Sequence, residues 1–187
     1  TAVVELDNEA PGAQAEGGVI NCNNQCVTLQ GTGNGSYSWS GPGGFTSTLQ
    51  NPEACTAGTY TLTVTGSNGC TSTATAVVEL DDNLPDAGAQ GGTLTCTDTV
   101  VTLNGSGVGS FSWSGPGGFT STEEDPTVSV PGTYTLTVTG SNGCSSTATA
   151  VVELDNEAPG AQAEGGVINC NNQCVTLQGT GNGSYSW

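Results

Sequence analysis

The residues of this chain that could do chemistry are eight cysteines and seventeen carboxylates. No Lys, Arg or His stands among its 187 residues, so the formal charge is −17. Cysteines without histidine partners point to disulfides and to an oxidising, extracellular setting. A metal reading of Cys22-x-x-x-Cys26 is poorly supported, because the spacing is wrong and His is absent. Carboxylates in such numbers could bind Ca²⁺, which takes six to eight oxygens. In pairs they could also hydrolyse glycosides.

The missing residue types exclude whole classes of function. Phosphate backbones are held through Lys and Arg, so nucleic acid is not a partner. An anionic membrane surface repels the chain. A phosphate-binding Walker loop needs Lys, and Ser-His-Asp or Cys-His nucleophiles need His. Cross-links built on Lys are excluded as well. No apolar run approaches 18 residues, so membrane insertion is not expected.

These groups must be positioned by a repeating framework. Trp39-Ser-Gly-Pro-Gly-Gly-Phe-Thr-Ser-Thr48 recurs from Trp113 to Thr122, 74 positions later. The run from Gly58 to Cys70 recurs from Gly132 to Cys144. A second period lies over the first, because Thr1 to Trp39 is identical to Thr149 to Trp187, an offset of 148. Two unit types therefore alternate. Residues 1–10 read as the last strand of a preceding B-type unit and a linker, 11–83 as unit A and 84–157 as unit B. Residues 158–187 read as the first strands of a following unit A. The pattern leads us to expect a window onto a longer tandem array.

Within a unit the segments read as strands. Tyr60, Leu62 and Val64 alternate with Thr59, Thr61, Thr63 and Thr65, which puts one face on a core and the Thr face in water. Ala74, Ala76, Val78 and Leu80 alternate in the same way in the last strand, opposite Thr71, Thr73 and Thr75. Ser67-Asn-Gly69 is a hairpin turn, Gly41-Pro-Gly-Gly44 is a loop, and nothing has helical period. About seven short strands in 74 residues give a small all-β sandwich.

The two unit types sort the cysteines. Unit A carries Cys22, Cys26, Cys55 and Cys70, whereas unit B keeps only Cys96 and Cys144. Cys26 and Cys55 are replaced together, by Val100 and Ser129, so they are expected to pair. Elimination then leaves Cys22–Cys70 and Cys96–Cys144 as the bridge common to both units. Cys170 and Cys174 would find partners outside the chain. Closing a loop of nearly 50 residues would contribute about 4 kcal/mol in the chain-entropy model, which a core this small needs.

Gly-Gly-Thr-Leu-Thr-Cys96, Val-Thr-Leu103, Phe-Ser-Trp113-Ser-Gly-Pro-Gly-Gly, Pro-Gly-Thr-Tyr134 and Asn-Gly-Cys144 resemble the tandem immunoglobulin-like repeats of secreted bacterial surface proteins. Those repeats are related to polycystic-kidney-disease-type domains and are common in gliding, type IX-secreting bacteria. The resemblance implies an immunoglobulin-like sandwich at the cell surface, in a spacer, adhesin stalk or fibre body. It also implies that Trp39, Trp113 and Trp187 are buried on the third strand of their units.

Acidic residues gather where units meet: Asp7 and Glu9, Asp81 and Asp82, and Asp155 and Glu157. They could hold Ca²⁺ and stiffen the linkers, or simply form solvated hinges. Glu123-Glu124-Asp125 reads as a charged loop. A small packed sandwich offers no cleft for carboxylate catalysis, so no enzyme activity is expected. Asn34, Asn104 and Asn182 each head an Asn-Gly-Ser triplet that fits a glycan acceptor, although such triplets also favour turns. Thr99, in Asp98-Thr-Val100, resembles an O-glycan acceptor.

The leading expectation is a non-catalytic structural component of an extracellular bacterial fibre or adhesin stalk. An adhesive module that binds glycan or another surface ligand, with or without calcium, is the alternative. The fibre could be a continuous chain. It could also be short chains joined by exchanging Thr1 to Leu6 into the partial unit of a neighbour.

Overall fold

The computed structural model describes residues 7–158 and 160–187. The strand Thr1 to Leu6, which could be exchanged between chains, lies outside the described residues. The chain is all-β, with two sandwiches in succession and a pair of short strands after them.

The first sandwich holds β1 (Gln14–Glu16), β2 (Gly18–Asn21), β3 (Val27–Thr28), β4 (Gln30–Thr32), β5 (Ser36–Gly41), β6 (Phe45–Ser47), β7 (Glu53–Ala54), β8 (Gly58–Thr65) and β9 (Thr71–Asp81). One layer is a five-stranded sheet in the order β2-β9-β8-β5-β6. The other is made of two short antiparallel pairs, β1-β4 and β3-β7. The second sandwich repeats this with β10 (Ala87–Gln90), β11 (Gly92–Thr95), β12 (Val101–Thr102), β13 (Asn104–Gly107), β14 (Ser110–Gly115), β15 (Phe119–Ser121), β16 (Thr127–Val128), β17 (Gly132–Thr139) and β18 (Ser145–Asp155). Beyond it, β19 (Gln162–Glu164) pairs with β20 (Gln178–Thr180).

Each unit has nine strand segments rather than about seven, because two strands are each broken once. The first break lets the chain leave one layer for the other. β1 pairs antiparallel with β4, then β2 pairs in parallel with β9. Gly17 is the switch residue between them, and a Cβ there would run into the Val77 carbonyl. Gly91 meets Val151 in the same way in the second unit. The expected loop at Gly41 to Gly44 contains one 3₁₀ turn, Pro42–Gly44, with Gly43 and Gly44 at φ of 65° and 78°.

Two separate cores result. Ile20, Leu29, Trp39, Ala54, Tyr60, Leu62, Val64, Ala76 and Val78 fill the first. The residues 74 positions on fill the second, with Leu94 for Ile20 and Val128 for Ala54 as the only changes of type. The alternation in β8 thus places its apolar side chains inside, as its period of two requires. Trp39 donates its indole N–H to the Gln50 carbonyl at 3.2 Å, and Trp113 donates to that of Glu124 at 3.1 Å. The Tyr60 and Tyr134 hydroxyls each donate to a backbone carbonyl four residues upstream, Thr56 and Val130, at 2.7 Å. Phe45 and Phe119 pack edge-on against these rings, with centroids 5.1 and 5.3 Å away. Burial in this apolar setting pushes the Tyr134 hydroxyl pKa up.

Two expected core positions are corrected. Leu80 is exposed. The ladder between β8 and β9 ends at Gly58 and Val78, so Leu80 lies on an overhang flanked by β2 alone. Trp187 is 72% exposed.

The disulfides correct the sequence reading further. Cys26 and Cys55 are bonded, with Cα atoms 4.1 Å apart. Val27 pairs with Ala54 across β3 and β7, so these cysteines stand opposite each other one step along the ladder. Cys22, however, is bonded to Cys144 of the second unit, with Cα atoms 5.0 Å apart. It is not bonded to Cys70, and Cys96 is not bonded to Cys144. The parallel pairing explains why. Asn21 stands beside Asp81 at the end of β9, whereas Cys70 precedes its start. A strand spans about 3.3 Å per residue, so the 11 residues of β9 hold Cys22 and Cys70 on the order of 35 Å apart. Thr95 beside Asp155 separates Cys96 from Cys144 in the same way along β18.

Candidate functional site: the junction between units

The junction is assembled from three segments. The parallel pairing of β2 with β9 delivers Cys22 to the linker that leaves β9 at Asp81. The hairpin between β17 and β18 delivers Asn142, Gly143 and Cys144 to the same place. The linker itself, Asp81 to Asn83, runs between them.

The hairpin turn is set by Gly143, at φ 78°, and closed by Gly140 N–H donating to the Cys144 carbonyl at 2.8 Å. That turn aims the Asn142 carboxamide outward. Its Nδ2 donates to Asp81 Oδ1 at 2.9 Å and to the Asn83 carbonyl at 2.9 Å. Its Oδ1 accepts the Cys144 N–H at 3.1 Å. Asn83 Nδ2 adds a further bond to Asp81 Oδ1 at 3.0 Å. The Asn142 carboxamide, and next to it that of Asn83, holds the Asp81 carboxyl below its usual pKa. Cys144, with its disulfide to Cys22, is 1% exposed beneath this clamp.

The same clamp occurs a second time. Asn68 donates to Asp7 Oδ1 and to the Glu9 carbonyl, both at 2.9 Å. The Cys70 N–H donates to Asn68 Oδ1 at 3.0 Å. All three linkers begin with one local turn, in which Asp7, Asp81 and Asp155 accept the N–H two residues on at 3.4 Å. From sequence alone Asn68 is accounted for as part of the Ser67-Asn-Gly69 turn. Asn68 and Asn142 each stand two residues before a cysteine, 74 positions apart.

The acidic residues thus reach the junction, but not as a calcium cage. Asp82, Glu9, Asp155 and Glu157 are exposed, and among the described residues no three acidic or cysteine side chains converge as metal ligands. Asp81 Oδ1 and Asp7 Oδ1 each accept from an asparagine amide. Asp125, expected as part of a charged loop, accepts the Gly105 N–H at 2.9 Å, the role of Asn51 toward Gly31 in the first unit. Asn34 and Asn182 lie in exposed bends, Asn104 on exposed β13 and Thr99 in an exposed loop. Cys170 and Cys174 are exposed free thiols. Among the described residues no helix is long and apolar enough to cross a membrane.

Comparison with known proteins bears on the fold. Two layers, a first strand that switches from antiparallel to parallel pairing, a buried Trp and the Tyr hydroxyl bond describe one architecture. It is immunoglobulin-like. A structure concerned with host cell surface retention of a 1.5-MDa bacterial ice-binding adhesin aligns over 95% of this chain and 78% of its own, at 14% identity and a TM-score of 0.54. Titin domains Z1Z2 in complex with telethonin align over 82% of this chain and 100% of their own, at 19% identity and a TM-score of 0.32. Fibronectin(III)-like modules of Clostridium thermocellum CbhA align over 80% of this chain and 93% of theirs, at 10% identity and a TM-score of 0.33. No protein-family description matches the chain, and no curated protein matches it in sequence.

Proposed function

We propose that this chain is a load-bearing segment of an extracellular fibre or stalk, built from tandem immunoglobulin-like units and without catalytic activity. The observation that carries this reading is the Cys22–Cys144 bond, which ties one unit to the next rather than closing a unit on itself. A bridge within a unit would stabilise that unit alone. A bridge across the junction, under a hydrogen-bonded linker, limits bending and carries tension between neighbours. Disulfides and a surface of acids, Thr, Ser, Asn and Gly suit an oxidising exterior, where lateral charge repulsion keeps such chains apart. Arrays of this kind gain stability from unit and neighbour contributions alike, so they can lengthen.

Small-angle scattering of the oxidised chain tests this. We expect an extended particle whose two complete units hold one mutual orientation. Reduction of the junction bond is expected to broaden the distribution of shapes while both units remain folded. A glycan array run on the same material provides the opposing outcome. Saturable glycan binding that survives reduction would make the chain an adhesive module instead.

A further inference from the structure

We infer that Cys70 and Cys96 are the two halves of one further inter-unit disulfide, the one that closes every junction from unit B to unit A. This rests on the tandem-array reading and fixes its covalent pattern. Both residues are free thiols in this chain. Each occupies the repeat position of a bonded cysteine, Cys70 that of Cys144 and Cys96 that of Cys22.

Geometry carries the inference beyond sequence position. At the junction from A to B, two contacts on one aspartate bring the bonded pair together. Asn21 pairs with Asp81, which fixes Cys22, and Asn142 holds Asp81, which fixes Cys144. At the junction from B to A the corresponding aspartate is Asp155, and Thr95 pairs with it, which fixes Cys96 beside the linker. The opposite half is visible at the other end of the chain. Residues 7–9 are identical to residues 155–157, and Asn68 holds Asp7 as Asn142 holds Asp81. A linker of the B-to-A sequence thus places Cys70 of the unit that follows it where Cys144 sits at the other junction. Both halves of the second bridge therefore have the geometry of the first, each on its own copy of one linker. Cys144 is buried by its neighbour, whereas Cys70 is only half-buried.

The bond forms by exchange. A disulfide oxidant's own S–S bond breaks as the Cys70–Cys96 bond forms, so it accepts two electrons and two protons from the two thiols and leaves as two thiols. The resulting fibre has one disulfide at every junction and, in A units alone, the internal Cys26–Cys55 bridge.

The chain has no bond for trypsin, so mapping uses cleavage after Glu. Native full-length protein is alkylated without reduction and digested. The Cys96 peptide, Leu80 to Glu123, is expected joined to the Cys70 peptide, Ala54 to Glu79. Ala54 to Glu79 also carries Cys55, so the Cys26–Cys55 and Cys22–Cys144 bonds keep further peptides in the same cluster. Fragmentation of the cluster assigns each bond. Recovery of the Cys96 peptide alkylated, or with Cys96 bonded directly to Cys144, overturns the inference. A second measurement separates this from failure of the array reading. In this chain Cys96 is expected to alkylate freely. When a copy of residues 40–83 is appended after Trp187, completing the third unit, Cys96 is expected to become protected and linked to the appended copy of Cys70. If the third unit folds and Cys96 still alkylates, the pairing is wrong. If pairing occurs in the lengthened chain but native protein contains no consecutive units, the array reading is what fails.

Discussion

Asn21 lies beside Asp81 in parallel register, and this single pairing decides which cysteines can meet. It places Cys22 at the exit of its unit, and the next unit supplies Cys144. The bond closes a sequence separation of 122 residues. In the chain-entropy model a loop of about that length stabilises by about 4–5 kcal/mol. The paired variant Cys22→Ser with Cys144→Ser is therefore expected to melt earlier and to uncouple the units. Calorimetry checks this, since the oxidised parent should give one transition and the variant two. A variant that melts like the parent would show that the bond does not couple them.

The Asn142–Asp81 clamp has a pH signature. Its hydrogen bonds hold the Asp81 pKa below the usual value in the folded state. A group with a lowered folded pKa adds stability above its unfolded pKa, about 3.9 for Asp, and loses it as pH falls through the folded value. Above that range the clamp should be insensitive to pH. Asn142→Ala removes the largest cause, so the Asp81 titration should move up toward the ordinary value. Carboxyl NMR titration of parent and variant measures this. An unchanged Asp81 titration would remove Asn142 as its cause.

Much of the sandwich is legible in the sequence, because a period of two in β8 and the Thr rows opposite it are local signals. The burial of Trp39 and Trp113 follows from the resemblance to immunoglobulin-like repeats, and the pairing of Cys26 with Cys55 from repeat comparison. The junction is not legible in that way. Cys22–Cys70 follows from elimination among units taken singly, but the parallel pairing of β2 with β9 is non-local and leaves no mark in either strand's composition. The clamp role of Asn142 was likewise hidden, since the Asn-Gly pair that forms the turn also explains itself locally. Leu80 followed the alternation of its strand, yet the core ends two residues before it.

The tyrosine bonds should matter to each unit separately. Tyr60→Phe and Tyr134→Phe keep the buried ring and its edge-on phenylalanine but leave the Thr56 or Val130 carbonyl without its hydroxyl donor. Each is expected to cost about 0.5–1.5 kcal/mol in its own unit. Trp39→Ala, which also opens a cavity, should cost about 3–5 kcal/mol. Denaturant unfolding of each variant with the junction bond reduced separates the two units. Equal loss in both units from a single substitution would mean that their cores are not independent.

Gly41 tests the packing of those rings from the other side. A Cβ at this position would press into the Tyr60 ring, as one at Gly115 would into that of Tyr134. Overpacking a fixed ring typically costs about 1–3 kcal/mol, so Gly41→Ala should destabilise unit A by that amount although alanine is the smallest possible change. The ring cannot yield easily, because its hydroxyl is tied to Thr56 and Phe45 packs against it edge-on. Combining Gly41→Ala with Tyr60→Phe frees the ring to shift, so the double variant should lose less than the sum of the two single losses. Unfolding of the four proteins in urea measures the cycle, and strict additivity would show that the hydroxyl bond does not hold the ring against Gly41.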